Sequence, residues 1–494
     1  MKNKEIAILF LVLIVVTGSE LSILTNIALW HDEAFSGLLP MYDFKEMIYR
    51  IGLDVHPPFY YILLKGWFKI LGDSLFVLRL FSVFFGILAV LTVYFLVKEA
   101  FKNRRFALFV SVLVALNSFF IQFVIEARMF TLGIFLVALS SFFVLKALRY
   151  KNWLWWFFYV LSVIGGVYTH YYIFFSVFAQ GFFVIYWFFK ESGFNFRNWL
   201  ENKNIQYGFG AYLLMIFFYL PWLKTFLSQV VRVQESYWIP PMNIWSVPAT
   251  FLKITTGGSI DTFRFWYVLT ALMITIVVAF IYVLKRFETP TKWLIFLLLI
   301  VPFLGASIVS LKTSIYLDRY FIFTLPFYVI LIAGAIWAVQ NKWLKNSLIA
   351  ITILGSLVSF PLYWASLEVE KKPGMAEAAT YLNREAKHSD KIYVGSSFVY
   401  FTFKYYNQTG IHPKLYQPFP LLHFSGTALL SPEDIIKDFY QDIEKDDIVW
   451  MINTTGFGNY QPSLPDNWVK IEEKGAQDVY DYRGWIVVTK YQIQ

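Results

Sequence analysis

The stretch "IAILFLVLIVVTGSELSILTNIALWHDE", residues 6–33, decides the class of this chain. It is mostly apolar from Ile6 to Trp30 and then sets Asp32 and Glu33 against the end of the run. About 20 consecutive apolar residues are what an α-helix needs to cross a bilayer. "MKNKE" ahead of the run could open a signal peptide, but the run is too long for a typical h-region and has no A-x-A site. It therefore reads as a retained first span. The adjacent carboxylates are costly if buried and idle if exposed, so their presence needs a reason.

The rest of the chain follows the same pattern. Of its 494 residues 58% are hydrophobic, 21% aromatic and 15% charged, with mean hydropathy +0.55. A soluble domain is about 45–50% apolar and about 25% charged. The long apolar runs point to helices rather than a barrel. About eleven spans are expected by this criterion, near 6–28, 75–97, 106–124, 129–147, 153–169, 173–189, 207–223, 264–284, 293–310, 321–338 and 347–365. One alternating set of connections holds "MKNK", "KEAFKNRR" (98–105), "KALRYK" (146–151), "KESGFNFRNWLENK" (190–203), "KRFETPTK" (285–292) and "NKWLKN" (341–346), all basic. The positive-inside rule makes these cytosolic, with the N-terminus inside and the C-terminal tail outside. The net charge of +9 then belongs to cytosolic loops, and no nucleic-acid partner is expected. With no cysteine, disulfides, thiolate nucleophiles and Cys zinc sites are excluded.

The other connections face outward and collect the unusual polar residues. They contain "WHDEAFS" (30–36), "LDVHPPFYY" (53–61) with Asp54 and His56, "IEARMF" (125–130), "THYY" (169–172), the stretch 224–262 with "VRVQESYW" (231–238), and "YLDRYF" (316–321). Asp, Glu, His and Arg gathered at span ends on one face suggest one shared polar site at the outer interface. "PPFYYILLKGWFKIL" (57–71) is too short to span and has its apolar residues at helical spacing, so it reads as an interfacial helix. Pro57 and Pro58 suit its first turn. Arg79, in "LRLFS", sits about one turn inside the second span and needs a partner or a water-filled cavity.

"DE" after the first span, "HPPFYYILLKGWFKILGDSLFVLRLFSVFFG", "EARMF", "THYYIFF" and "DRYFIFTLP" occur in this order. Together they resemble the C-type glycosyltransferase superfamily, nearest its protein O-mannosyltransferase and aminoarabinose-transferase branch (glycosyltransferase family 39). The resemblance covers about residues 1–365. It implies a membrane enzyme that moves a sugar from a polyprenyl-phosphate donor to an acceptor outside the cytosol. The acceptor could be a protein hydroxyl, a lipid or an envelope glycan. The implied location is the plasma membrane, multi-pass, with the active site on the extracytoplasmic face. Asp32 matches the family's catalytic base, and Glu33 its second acidic position.

The chemistry agrees. Inverting transfer needs a carboxylate to take the acceptor's proton, worth about 10²–10⁴-fold. The leaving phosphate gains negative charge that cations must meet, and arginine does so bidentately. Asp32 also has a structural alternative, as an acidic N-cap of an outer helix. Arg319 in "DRY" is the preferred phosphate ligand, with Asp318 orienting it; Arg128, His56 and Arg79 complete the set. His56 stands where some relatives carry a phosphate-binding Lys, and it is a weaker cation near pH 7. That raises the importance of Arg79, Lys65 or Arg232. Glu126, His170, Tyr171 and Asp54 are assigned to the sugar or acceptor pocket. Glu126 and Arg128, two apart, would lie on different faces of a helix. No cofactor is expected. His31, Asp32, Glu33, His56 and His170 would be the donors of a divalent metal, Mg or Mn through oxygens or Zn through His, but no tight spacing such as H-x-x-x-H occurs.

After about residue 368 the composition changes. A helix is expected at 374–387, then a short β-rich run, strands at 447–453, 468–475 and 484–492, and a helix at 432–443. This gives two domains: 1–367, transmembrane and catalytic, and 368–494, a small external α/β domain. "NQT" (407–409) and "NTT" (453–455) are glycosylation sequons. Two other readings compete. An oligosaccharyltransferase or ligase of the same superfamily would favour a W-W-D-like motif in the outer domain, and "WW" occurs only at Trp155–Trp156. A lipid-linked sugar transporter would carry charges along a path through the bilayer, and the mid-span regions are nearly free of charge.

Overall fold

The computed structural model describes residues 4–193, 196–235, 238–257, 262–286, 289–440, 443–460, 462–478 and 484–494. Parts of the expected loops at 1–4, 190–203, 231–238 and 285–292, and of the expected helix at 432–443, lie outside the described residues. In chain order the helices are α1 (Lys4–Leu21), α2 (His31–Leu38), α3 (Phe44–Leu53), α4 (Phe59–Leu71), α5 (Leu75–Phe101), α6 (Arg104–Ala115), α7 (Ser118–Val124), α8 (Phe130–Tyr150), α9 (Trp153–Val167), α10 (Ile173–Ser192), α11 (Phe196–Glu201), α12 (Lys203–Glu235), α13 (Ser246–Thr256), α14 (Thr262–Arg286), α15 (Thr291–Ser310), α16 (Leu325–Trp337), α17 (Lys342–Ser366), α18 (Gly374–Glu385) and α19 (Ser397–Tyr406). A 3₁₀ turn, Asp318–Thr324, leads into α16.

The protein is a multi-pass helical membrane protein with a C-terminal α/β domain. Among the described residues seven helices are long and apolar enough to cross a membrane, or eight if the bent pair α6–α7 is one span. The expected spans at 6–28, 153–169 and 264–284 are helical as α1, α9 and α14 but are not among these. Contact grouping divides the chain into two compact units: Met1–Leu21, His56–Tyr60 and Arg79–Tyr363 in one, Ser22–Val55, Tyr61–Leu78 and Trp364–Gln494 in the other.

In the first unit α8 packs along α9, α10 along α15, and both α1 and α16 against α6. Val16, Val112 and Leu116 form the α1–α6 seam. Helix α1 stops at Leu21, although the apolar run continues. The turns that follow contain Ser22, Thr25 and Asn26, whose side chains compete with the helical backbone. The expected span 106–124 is broken by 63° without Pro or Gly. Asn117 takes an extended conformation and its side chain accepts from Phe120 N at 3.0 Å, starting a new helix. Its amide also donates to Ile254 O at 2.9 Å. Helix α12 runs on to Glu235, through the beginning of the stretch expected to be an outer loop.

The second unit holds a six-stranded mixed sheet of order β3-β2-β1-β4-β6-β5. Its strands are β1 (Lys391–Val394), β2 (Lys414–Tyr416), β3 (Ile435–Ile436), β4 (Ile448–Thr454), β5 (Trp468–Gln477) and β6 (Trp485–Ile493). β1 pairs in parallel with β2 and β4, and β2 with β3, whereas β6 runs antiparallel to β4 and β5. Tyr393, Ile436, Phe439, Val449, Met451, Trp468 and Ile493 form its core. Among the described residues of 432–443 there is no α-helix. Pro432–Asp434 is a 3₁₀ turn and Ile435–Ile436 a strand. Asp434 is drawn into hydrogen bonds with Tyr400 Oη at 2.7 Å and Lys404 Nζ at 2.8 Å, and Ile436 joins the core. Helix α18 covers β5 and β6, and α19 packs on α2.

Candidate active site

The segment after α3 ends in His56, Pro57 and Pro58. The prolines have no N–H, and Phe59 N donates to Tyr168 O at 2.8 Å as α4 begins. The "EAR" motif lies in the non-helical link between α7 and α8, so the helix-face reading of Glu126 and Arg128 does not apply. Arg128 N donates to Glu126 O at 2.8 Å, closing a tight turn. Ser82 Oγ on α5 donates to Arg128 O at 3.3 Å. Arg79, one turn earlier on α5, shares that face and is buried. His170 occupies the turn between α9 and α10, and Arg319 the 3₁₀ turn before α16.

These separate segments converge within the first unit. Arg128 is buried, and its Nη2 lies 3.3 Å from His56 Nε2. A guanidinium only donates, so in this contact His56 accepts through Nε2 and carries its proton on Nδ1. The His56 and His170 rings are 6.4 Å apart. His170 lies against Tyr320 and Phe323, at ring distances of 5.0 Å and 5.1 Å. The Arg319 guanidinium lies 5.6 Å from the rings of both Trp238 and Tyr320. Burial, and then the neighbouring His56, Arg128 and Arg319, hold the pKa of His170 well below the usual histidine value. His170 is therefore neutral. Tyr172 N donates to its Nδ1 at 3.2 Å, which leaves the ring proton on Nε2. The arrangement offers fixed cationic charge from the arginines and neutral donors from the imidazoles.

Asp318 is expected from the sequence to orient Arg319; the other surrounding contacts had no sequence signal. Lys253 on α13 pairs with Asp318, whose Oδ1 also accepts from Arg319 N at 2.7 Å. Asp318 thus ties down the Arg319 backbone. The Tyr171 hydroxyl donates to Gln229 Oε1 and accepts from Trp222 Nε1 at 2.9 Å. Gln229 Nε2 in turn donates to His56 O at 3.4 Å. Their separation in sequence hides these links, and only the count of polar residues inside an apolar stretch could have flagged Gln229.

The second unit carries Asp32, Glu33 and Asp54. The N-cap of α2 is Trp30, without a side-chain cap, so Asp32 is not the N-cap. Asp32 and Glu33 occupy the first turn, where the helix dipole favours carboxylates. Glu33 is buried and Asp32 half-buried. His31 packs on Phe398 and Phe401 of α19, at 5.1 Å and 5.6 Å. Asp54 ends α3 and is buried. Lys65 donates to Pro40 O at 2.8 Å and Tyr42 O at 2.6 Å, so its ammonium closes the first outer segment. Among the described residues no group of three or more His, Asp or Glu could hold a metal ion.

Residues 55–223 match the family model of the dolichyl-phosphate-mannose-protein mannosyltransferases. This segment is similar to that family. The match contains His56, Arg79, Glu126, Arg128, His170 and Tyr171. The chain is similar in fold to ArnT from Cupriavidus metallidurans. The apo form of ArnT superposes with a TM-score of 0.61 at 11% identity, over 98% of this chain and 97% of that one. ArnT bound to undecaprenyl phosphate gives 0.57 at 12% identity, over 99% and 98%. At such identities the likeness is one of fold, and it extends over the C-terminal domain. No curated protein matches the sequence.

Proposed function

We propose that this protein is a glycosyltransferase that moves a sugar from a polyprenyl-phosphate donor to an acceptor on the extracytoplasmic face, with inversion. The cluster in the first unit carries the reading. Arg128, His56 and Arg319 come from three separate segments and bring two guanidinium charges and an imidazole donor to one partly buried site suited to a phosphate. The ArnT structure with undecaprenyl phosphate supports the donor class. As the bond from sugar to phosphate breaks, charge grows on the leaving phosphate, and preorganised guanidinium donors stabilise it most in the transition state. Asp32 takes the proton of the attacking acceptor group, and Glu33 supports it. Glu126, His170, Tyr171 and Asp54 are assigned to the sugar and acceptor pocket. In this reading residues 1–367 are the catalytic transmembrane domain, with eleven spans, N-terminus inside and C-terminus outside. Residues 368–494 form an external domain at the plasma membrane. The six basic connections support that orientation.

The test uses the purified protein in liposomes, radiolabelled undecaprenyl-phosphate hexose and a cell-envelope extract as acceptor. Wild type is expected to release label from the carrier, and Asp32→Asn to lose about 10²–10⁴-fold in rate. Equal rates would move the base to Glu33 or Glu126. Labelled lipid crossing the bilayer without transfer would replace the transferase by a transporter.

A further inference from the structure

The His56–Pro57–Pro58 segment cannot be tied down through the amides of its prolines. Its main chain is held from both ends instead. Phe59 N donates to Tyr168 O at 2.8 Å, and His56 O accepts from Gln229 Nε2 at 3.4 Å. Gln229 is buried on α12. Its carbonyl accepts from the Tyr171 hydroxyl, which accepts from Trp222 Nε1 at 2.9 Å. The chain of donors runs one way: indole to phenol, phenol to amide, amide to peptide carbonyl. Each group is committed by the one before it, so the amide of Gln229 has its nitrogen turned to His56 and not its oxygen.

We propose that Gln229 is a positioning residue of the donor site: through Tyr171 and the His56 carbonyl it fixes where the His56 ring meets Arg128. This rests on reading His56 and Arg128 as donor-phosphate ligands. Gln229 does not touch the donor itself. It sets the geometry of a residue that does, and a shift of a fraction of an ångström in the His56 main chain moves the ring relative to the guanidinium 3.3 Å away. Binding sites lose affinity when the groups that orient their ligands are loosened. Tyr171 then contributes through its hydroxyl, as the link that orients Gln229.

The test is equilibrium binding of undecaprenyl phosphate to the full-length protein in nanodiscs, for wild type, Gln229→Met, His56→Ala and the double variant, with thermal unfolding of each. Gln229→Met keeps side-chain length and removes both hydrogen bonds. It is expected to weaken binding about tenfold, the equivalent of 1.4 kcal/mol. In the His56→Ala background the same substitution is expected to change binding by less than about twofold, because its effect passes through the ring that is gone. A purely structural role would weaken binding equally in both backgrounds and would overturn the proposal. So would Gln229→Met binding like wild type. If His56→Ala itself binds like wild type, the phosphate-ligand reading of His56 fails, and the inference about Gln229 falls with it. A Tyr171→Phe variant gives the second measurement: it is expected to weaken binding in wild type and not in Gln229→Met. Additive losses would show two independent effects and refute the chain.

Discussion

Replacing Arg128 by lysine keeps the charge and removes the fork. Arginine presents five N–H donors in a rigid plane, lysine three around one nitrogen. Arg128 faces His56 Nε2 through Nη2 at 3.3 Å, and a planar fork can meet an imidazole and a phosphate together. A lysine at this position would meet the phosphate from a single nitrogen and lose the bidentate contact. One charge-assisted hydrogen bond is lost, about 1.5–3 kcal/mol, so kcat/KM for the donor should fall about tenfold to a hundredfold. Arg128 is only 4% exposed, so salt screens the effect weakly. The assay is initial rate against labelled undecaprenyl-phosphate hexose at saturating acceptor, then the converse. The acceptor KM should not move. A companion variant, Arg128→Met, removes one of the positive charges that, after burial, depress the pKa of His170. The titration midpoint of His170 followed by NMR should rise, and should stay below the usual histidine value because burial remains. If Arg128→Lys keeps donor kcat/KM within about twofold while lowering the unfolding temperature, Arg128 is a structural cation and the phosphate must bind elsewhere.

Asp434 is 2% exposed and accepts from Tyr400, Lys404 and Ser431 N; removing its charge in Asp434→Asn should cost about 3–5 kcal/mol, seen as a lower unfolding temperature. Burial pushes the pKa of Asp434 up, but hydrogen bonds from Lys404, Tyr400 and the Ser431 backbone outweigh it and leave it below its ordinary 3.8. The stability it contributes is therefore complete above that value and lost as pH falls through the depressed one, and an acid-unfolding curve of Asp434→Asn should lack that limb. Gly257 ends α13 at φ 77°, and an added Cβ would lie 2.3 Å from the Cβ of Ser118; Gly257→Ala should cost about 1–2 kcal/mol for the left-handed backbone plus about 1–3 for overpacking, measured by thermal unfolding. Asn117→Ala removes the N-cap of α7 and the donor to Ile254 O and should cost about 1–2 kcal/mol in the same experiment.

The readings that held were those in which one local signal fixes the answer. Apolar runs gave the helices of the first unit, and short apolar runs rich in β-branched residues gave β4 and β6, because burial against neighbours favours those patterns whatever the neighbours are. The readings that moved were settled by partners far along the chain. Leu116–Asn117 looks like mid-span sequence, and the break there stands because Asn117 both caps α7 and reaches Ile254. Residues 432–443 have helical spacing, yet Asp434 is claimed by Tyr400 and Lys404 from α19, and Ile436 by the sheet. The donor cluster divides in the same way. Its charged members announce themselves, since an arginine or histidine at the end of an apolar helix is costly without a purpose. Their protonation does not: His170 is neutral because it is buried, and because Arg128 and Arg319 from other segments add positive charge beside it. The residues that hold the cluster in place, Gln229, Lys253 and Ser82, are ordinary polar side chains whose meaning lies in what they touch. A charge in an apolar run therefore identifies a site, whereas the geometry that makes the site work has to be read from contacts.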